Sequence, residues 1–188
     1  LVEMTGSEAH LLRADWWLVQ VCRQLSLRNK QTGVGYYDWL GIKDRKAFFA
    51  ISKVRLDDSR GLELDRLAVV ARSGVSKQNR QINREQALTG PLWFTLDTDD
   101  EVGRGNAVRN LRRGDYRHQA EEHYLALPNG LPAYFLGNAA GARQDSAPEF
   151  IGPDKSVLNV SNDGRIHICL GCIRCHAGSG RGGLQPFQ

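Results

Sequence analysis

Apolar residues recur at roughly helical spacing over residues 8–27. Leu11, Leu12, Trp16, Val19 and Leu25 alternate there with Arg13, Asp15 and Arg23, a pattern that predicts an amphipathic helix. A turn-rich break follows from Asn29 to Gly35. Tyr36 to Leu40 predicts a second, short helix stopped by Gly41, because glycine readily takes the left-handed conformation that ends helices. Asp44 then stands as the N-cap of a third helix carrying Phe48, Phe49 and Ile51.

Downstream the period changes. Leu62, Leu64, Leu67, Val69 and Val70 fit either a strand or a short helix. Arg72 to Arg84 reads as loop, with Ser73-Gly74 as a turn signal. Pro91 opens a strand from Leu92 to Asp97. Two apolar runs, Tyr124–Leu127 and Leu131–Leu136, flank Pro128-Asn129-Gly130, and Asn-Gly between such runs predicts a hairpin. A second strand pair is expected at Val157–Val160 and Arg165–Ile168, across Asn162-Asp163-Gly164. The predicted class is α+β: one domain over 1–188, with N-terminal helices followed by a β-rich region with hairpins. A cysteine motif lies just after the last strand, and residues 177–188 read as a flexible tail or linker.

Composition leaves this picture standing. The chain has 188 residues, 41% hydrophobic and 24% charged, which is ordinary for a globular domain. A chain of this length can bury a core without disulfide staples. It has no apolar run of about 18 residues, so no transmembrane segment is expected. It begins at Leu1 without a charged and then apolar leader, as expected of a processed export substrate or a piece of a longer chain. The net charge of +4 is a mild excess. Its densest basic stretch, Arg104, Arg109, Arg112, Arg113 and Arg117, reads as a solvated face, and no nucleic-acid partner is expected. Asp97, Asp99, Asp100 and Glu101 lack the further fixed ligands of a calcium loop.

Three of the four cysteines fall within seven residues, in Cys169-Leu170-Gly171-Cys172-Ile173-Arg174-Cys175-His176. The segment contains C-x-x-C-H. Two thiols at this spacing can reach the two vinyl groups of one porphyrin edge, and the histidine that follows can turn its imidazole to the iron. The expected cofactor is one haem c, attached through Cys172 and Cys175 with His176 as proximal ligand. Its two propionates could pair with some of the arginines. Zinc is the main rival, because Cys169, Cys172, Cys175 and His176 form a Cys3His set, although structural zinc sites usually draw on two separated pairs. An iron–sulfur cluster is a second rival, but the Cys-Pro ending of a ferredoxin run is missing. Cys169 itself reads as a buried, inert thiol, with a disulfide to Cys22 as the alternative in an oxidising compartment.

A haem iron offers one more axial position. Met4 sits at the chain's start, and His167 is too close to the motif to reach the opposite face easily. His118 is the first candidate for the distal ligand and His123 the second. Glu122, four residues after His118, is expected to hold its tautomer through the other ring nitrogen.

Several blocks together resemble a domain of planctomycete c-type cytochrome proteins. They are Arg13-Ala14-Asp15-Trp16, Ser73-Gly74-Val75-Ser76 with Asn79-Arg80, and Val102-Gly103-Arg104 with Asn106. His118 with Glu122, Leu127-Pro128-Asn129-Gly130-Leu131 with Tyr134, and the final C-x-x-C-H complete the set. The similarity runs from Arg13 to His176. It implies covalent haem c, export to the periplasm or extracellular space, and electron transfer with redox partner proteins, within a larger multi-haem or multi-subunit assembly. It also places His118 on the family's histidine. Ala120 and Glu121 stand where that family commonly has Gly-Gly, and Cys169 lies outside its pattern. Two other functions compete with an electron carrier. One is a peroxidase-like enzyme using Arg104, His118 and Glu122 above an open iron position. The other is a metal-stabilised structural module.

Overall fold

The computed structural model describes residues 36–52, 67–70, 79–88, 90–111, 115–126, 132–151, 165–169 and 171–172. Its framework is a five-stranded sheet in the order β1-β2-β3-β4-β5. The strands are Leu67–Val70, Arg80–Ala87, Gly90–Asp97, Ala120–Ala126 and Pro132–Asn138. Every strand pairs antiparallel with its neighbour in the chain. Two short α-helices, α1 (Tyr36–Trp39) and α2 (Arg45–Ser52), precede the sheet.

The expected α+β class, with N-terminal helices leading into a β region, is thereby corrected. Among the described residues the fold is dominated by the sheet. The reason is area: helices of four and eight residues can bury only a narrow stripe, so the strands carry most of the core. The helix expected over 8–27 lies outside the described residues, as do Val157–Val160 and the Pro128-Asn129-Gly130 turn.

The short helices form where their signals stand. Gly41 ends α1 at φ +68. The Ala47 amide donates to Asp44 Oδ1 at 2.8 Å and caps α2. By contrast, the loop expected over Arg72–Arg84 is in part a strand, since β2 begins at Arg80. Its residues are polar, but Gln81 and Asn83 are buried, and Arg80 faces Asp97 across β3.

Strand alternation divides the sheet into two faces. One carries Gln81, Asn83, Leu92, Phe94, Leu96, Glu121, His123, Leu125 and Phe135, all buried. Helix α2 covers part of this face: Phe48 stacks on Phe135 at 5.6 Å and meets His123 edge-on at 5.9 Å. The opposite face carries a buried ion pair. Arg80 Nε and Nη2 donate to the two oxygens of Asp97 at 2.6 and 2.9 Å, and Thr95 Oγ1 donates to Asp97 Oδ2 at 3.2 Å.

The outer edge of β5 is closed by side chains and by the segment that follows it. The Tyr134 amide donates to Tyr36 Oη at 3.0 Å, and the Leu136 amide donates to Tyr37 Oη at 2.7 Å. Tyr37 Oη donates onward to the Gln144 carbonyl at 2.9 Å. The Gln144 amide returns to the Leu136 carbonyl at 2.8 Å. An unpaired edge is a template for unwanted strand pairing, and here two tyrosines remove it.

The β3–β4 connection is folded onto itself. Asn79 Oδ1 accepts the Ala107 amide at 2.9 Å, and Asn110 Nδ2 donates to the Gly103 and Asn106 carbonyls at 2.8 Å. Gly105 is obligatory in this packing, because a Cβ there would stand 1.8 Å from the Asp100 carbonyl oxygen.

Candidate functional site

The cysteine segment is anchored beside the residues that follow β5. The Ala147 amide donates to the Ile166 carbonyl and the Ile168 amide to the Asp145 carbonyl, each at 2.9 Å. The strand expected over Arg165–Ile168 is reduced to one isolated bridge, Ser146 to His167. The chain then reverses. Cys169 takes φ +68, the only non-glycine residue with positive φ among those described. The Gly171 amide reaches back to the His167 carbonyl at 3.0 Å. A side chain at Gly171 would strike Ile166, since a Cβ there would lie 2.5 Å from its Cγ2. Gly171 and Cys172 open a helical turn.

The sulfurs differ in state. Cys169 is fully buried, as expected, but it is disulfide-bonded rather than an inert thiol. Cys172 is buried and keeps its thiol. It lies near the tyrosines that close β5. Burial above all, and then the Cys172 charge, hold the hydroxyls of Tyr36, Tyr37 and Tyr134 above the ordinary tyrosine range. Cys175 and His176 lie outside the described residues.

The distal candidates converge on a residue that sequence reasoning passed over. Glu121, fully buried on β4, receives Arg45 Nη1 at 2.5 Å and faces His118 Nε2 at 3.4 Å through Oε1. Its Oε2 accepts His123 Nε2 at 2.8 Å. Burial pushes the Glu121 carboxyl up, but hydrogen bonds from His118 and His123, and the charges of His123 and Arg45, take it down to about 2. The expected partner of His118, Glu122, is on the other face, where its Oε2 lies 3.8 Å from Arg80 Nη2. That expectation is corrected for a geometric reason. A spacing of four suits a helix, but His118 precedes a strand, and the alternation of β4 places Glu121 and His123 on one face.

His118 is partly exposed, at 17% of its side chain. His123 is enclosed by Phe48, Phe49, Phe94 and Phe135, with ring centroids 5.2 to 5.9 Å away. Burial lowers its pKa despite the Glu121 carboxylate. With Nε2–H donated to Glu121, its Nδ1 is buried without a hydrogen-bond partner. The residues named for a peroxidase are held by separate partners: Arg104 Nε donates to the Asp115 carbonyl at 2.9 Å, His118 faces Glu121, and Glu122 faces Arg80. The acidic cluster serves the loop: Asp97 binds Arg80, Asp100 Oδ1 accepts the Val102 amide, and Glu101 Oε1 accepts the Asn79 amide.

In comparison with known proteins, the chain matches no family profile, no curated protein and no solved structure. Among the described residues, no cluster of three or more His, Cys, Asp or Glu is arranged to hold a metal ion, and no helix is long and apolar enough to cross a membrane.

Proposed function

We propose that the chain is a c-type cytochrome domain that binds one haem c covalently and works in electron transfer. Cys172 and Cys175 would form the two thioethers, and His176 would be the proximal iron ligand. Bound haem would supply an iron that cycles between two oxidation states. The observation that carries this reading is the C-x-x-C-H segment itself, whose first cysteine, Cys172, is a buried thiol beside the tyrosines that close β5. The disulfide at Cys169 takes one thiolate from the Cys3His zinc alternative. The planctomycete-type sequence blocks support the same reading, along with export to the periplasm or extracellular space and redox proteins as partners.

His118 remains the first candidate for the opposite axial position. Glu121 is the carboxylate placed to orient it, since axial imidazoles are commonly steadied through the second ring nitrogen. His123 ranks behind it, because four aromatic rings surround it.

The test is a pyridine haemochrome spectrum of protein made in its native host. The expectation is one covalent haem per chain in the wild type and none in the Cys172→Ser/Cys175→Ser variant. Protein from that host without covalent haem would refute the reading. His118→Ala should move the ferric spectrum towards high spin, and an unchanged low-spin spectrum would remove His118 as ligand.

A further inference from the structure

Three donors meet one carboxylate near the start of β4. Glu121 Oε2 accepts His123 Nε2 at 2.8 Å, while Oε1 meets Arg45 Nη1 at 2.5 Å and His118 Nε2 at 3.4 Å. A carboxylate accepts at both oxygens at once, so the three contacts share one orientation of the side chain. We infer that Arg45 is a positioning residue, which fixes the Glu121 carboxylate in the orientation from which Oε1 faces His118. This inference rests on the reading of His118 as the opposite axial ligand of the haem.

The turn after β5 holds Arg45 in place. The Arg45 amide donates to the Gly141 carbonyl at 2.9 Å, and Asp44 forms an isolated bridge with Ala142. Gly141 has φ +76, and a Cβ there would stand 3.1 to 3.2 Å from Nε, Cβ and Cζ of Arg45. The bare glycine lets the backbone close against the arginine side chain and limits where its guanidinium can swing. The turn is itself tied down. Asn138 Oδ1 accepts the Ala140 and Ala142 amides, each at 3.0 Å, and the Gly141 amide donates to the Asn138 carbonyl at 2.8 Å. The same turn reaches the other side of the cluster, where the Ala139 amide donates at 3.0 Å to the carbonyl of Gln119, the residue next to His118. One turn thus registers the arginine and the histidine against each other.

The unequal distances say what Arg45 contributes. Without it, Glu121 keeps two donors, and the shorter contact is to His123, whose ring is packed among Phe48, Phe49, Phe94 and Phe135. The carboxylate would settle on His123, and the longer contact to His118 would open. His118 is 17% exposed, so water can take the place of the lost carboxylate. An imidazole without its carboxylate partner is a less basic and less well oriented ligand. Arg45 acts on His118 only through Glu121.

The test reads the ferric spectrum of the haem-loaded protein and the affinity of its iron for added imidazole, which competes with an axial histidine. Arg45→Gln should move the spectrum part of the way towards high spin and raise imidazole affinity about ten-fold, the low end of what outer partners of metal ligands are worth. Arg45→Lys should stay within about three-fold of the wild type, because the contact is a single hydrogen bond that an ammonium can also make. In a Glu121→Gln background, Arg45→Gln should have no further effect. An unchanged Arg45→Gln protein would overturn the inference. So would an Arg45→Gln effect of full size in the Glu121→Gln background, or an Arg45→Lys protein that behaves like Arg45→Gln. If His118→Ala keeps its low-spin spectrum, the axial reading fails and the role of Arg45 with it. A high-spin His118→Ala beside an unchanged Arg45→Gln removes the role of Arg45 alone and leaves the axial reading standing.

Discussion

Replacing Glu121 with Gln keeps the shape of the side chain and removes its charge from a site where Arg45, His118 and His123 all approach it. The carboxyl is held at about 2 against an ordinary 4.5. At roughly 1.4 kcal/mol per tenfold change in proton affinity, that interval corresponds to about 3 kcal/mol of stability. Its pH window follows from the direction. The unfolded chain takes up the proton near 4.5 and the folded chain only near 2, so the stabilisation is complete above pH 5. It is lost as pH falls through the folded value. Urea unfolding followed by tryptophan fluorescence should show Glu121→Gln less stable by about 3 kcal/mol at pH 6, and by only about 1 kcal/mol at pH 3. The same deficit at both pH values would mean that packing, and not the charge, is what Glu121 contributes.

Two further perturbations probe the frame around the site. Asp97→Ala leaves the Arg80 guanidinium, only 6% exposed, with Glu122 at 3.8 Å as its remaining carboxylate, and should cost about 3 kcal/mol in denaturant unfolding. Replacing both partners with apolar residues of similar volume should recover most of that loss, and a loss for Asp97→Ala below about 1 kcal/mol would contradict the pairing. Gly105→Ala forces the Asp100 carbonyl to move and should cost about 2 kcal/mol. It should also speed amide exchange at Ala107, whose N–H is held by Asn79, and unchanged exchange there would show that the loop absorbs the methyl elsewhere.

What was legible in the sequence was whatever has a local cause. Asp44 caps a helix and Gly41 ends one, and each of these signals acts within a few residues and is found where it was expected. The two apolar runs expected to pair do so as β4 and β5, although β4 begins four residues earlier than expected, at Ala120. β2 was missed because its core-facing positions hold Gln81 and Asn83 instead of aliphatic residues, so the alternation that marks a half-buried strand is hidden. These polar side chains are buried because β3 and the folded β3–β4 loop supply their surroundings, including the Asn110 carbonyl that accepts Gln81 Nε2 at 2.5 Å. The carboxylate beside His118 was misassigned for a related reason. Only a strand period of two puts Glu121 and His123 on one face, and the strand had been expected to begin later, at Tyr124. Arg45 had no local signal, since it meets Glu121 across 76 residues of chain. The state of Cys169 was not legible either, as spacing alone fits both a thiol and a disulfide.

The tyrosine closure of β5 has a consequence for how the chain can associate. A sheet grows by recruiting a strand to whichever margin has spare amides and carbonyls. On the β5 side those groups at Tyr134 and Leu136 are already spoken for by two phenols and by Gln144. A second chain could add there only by prising α1 off the margin, which would also expose the buried rings of Tyr36 and Tyr37. The sheet is therefore directional: assembly across β5 must proceed through side chains, edge on edge, and not by extending the ladder.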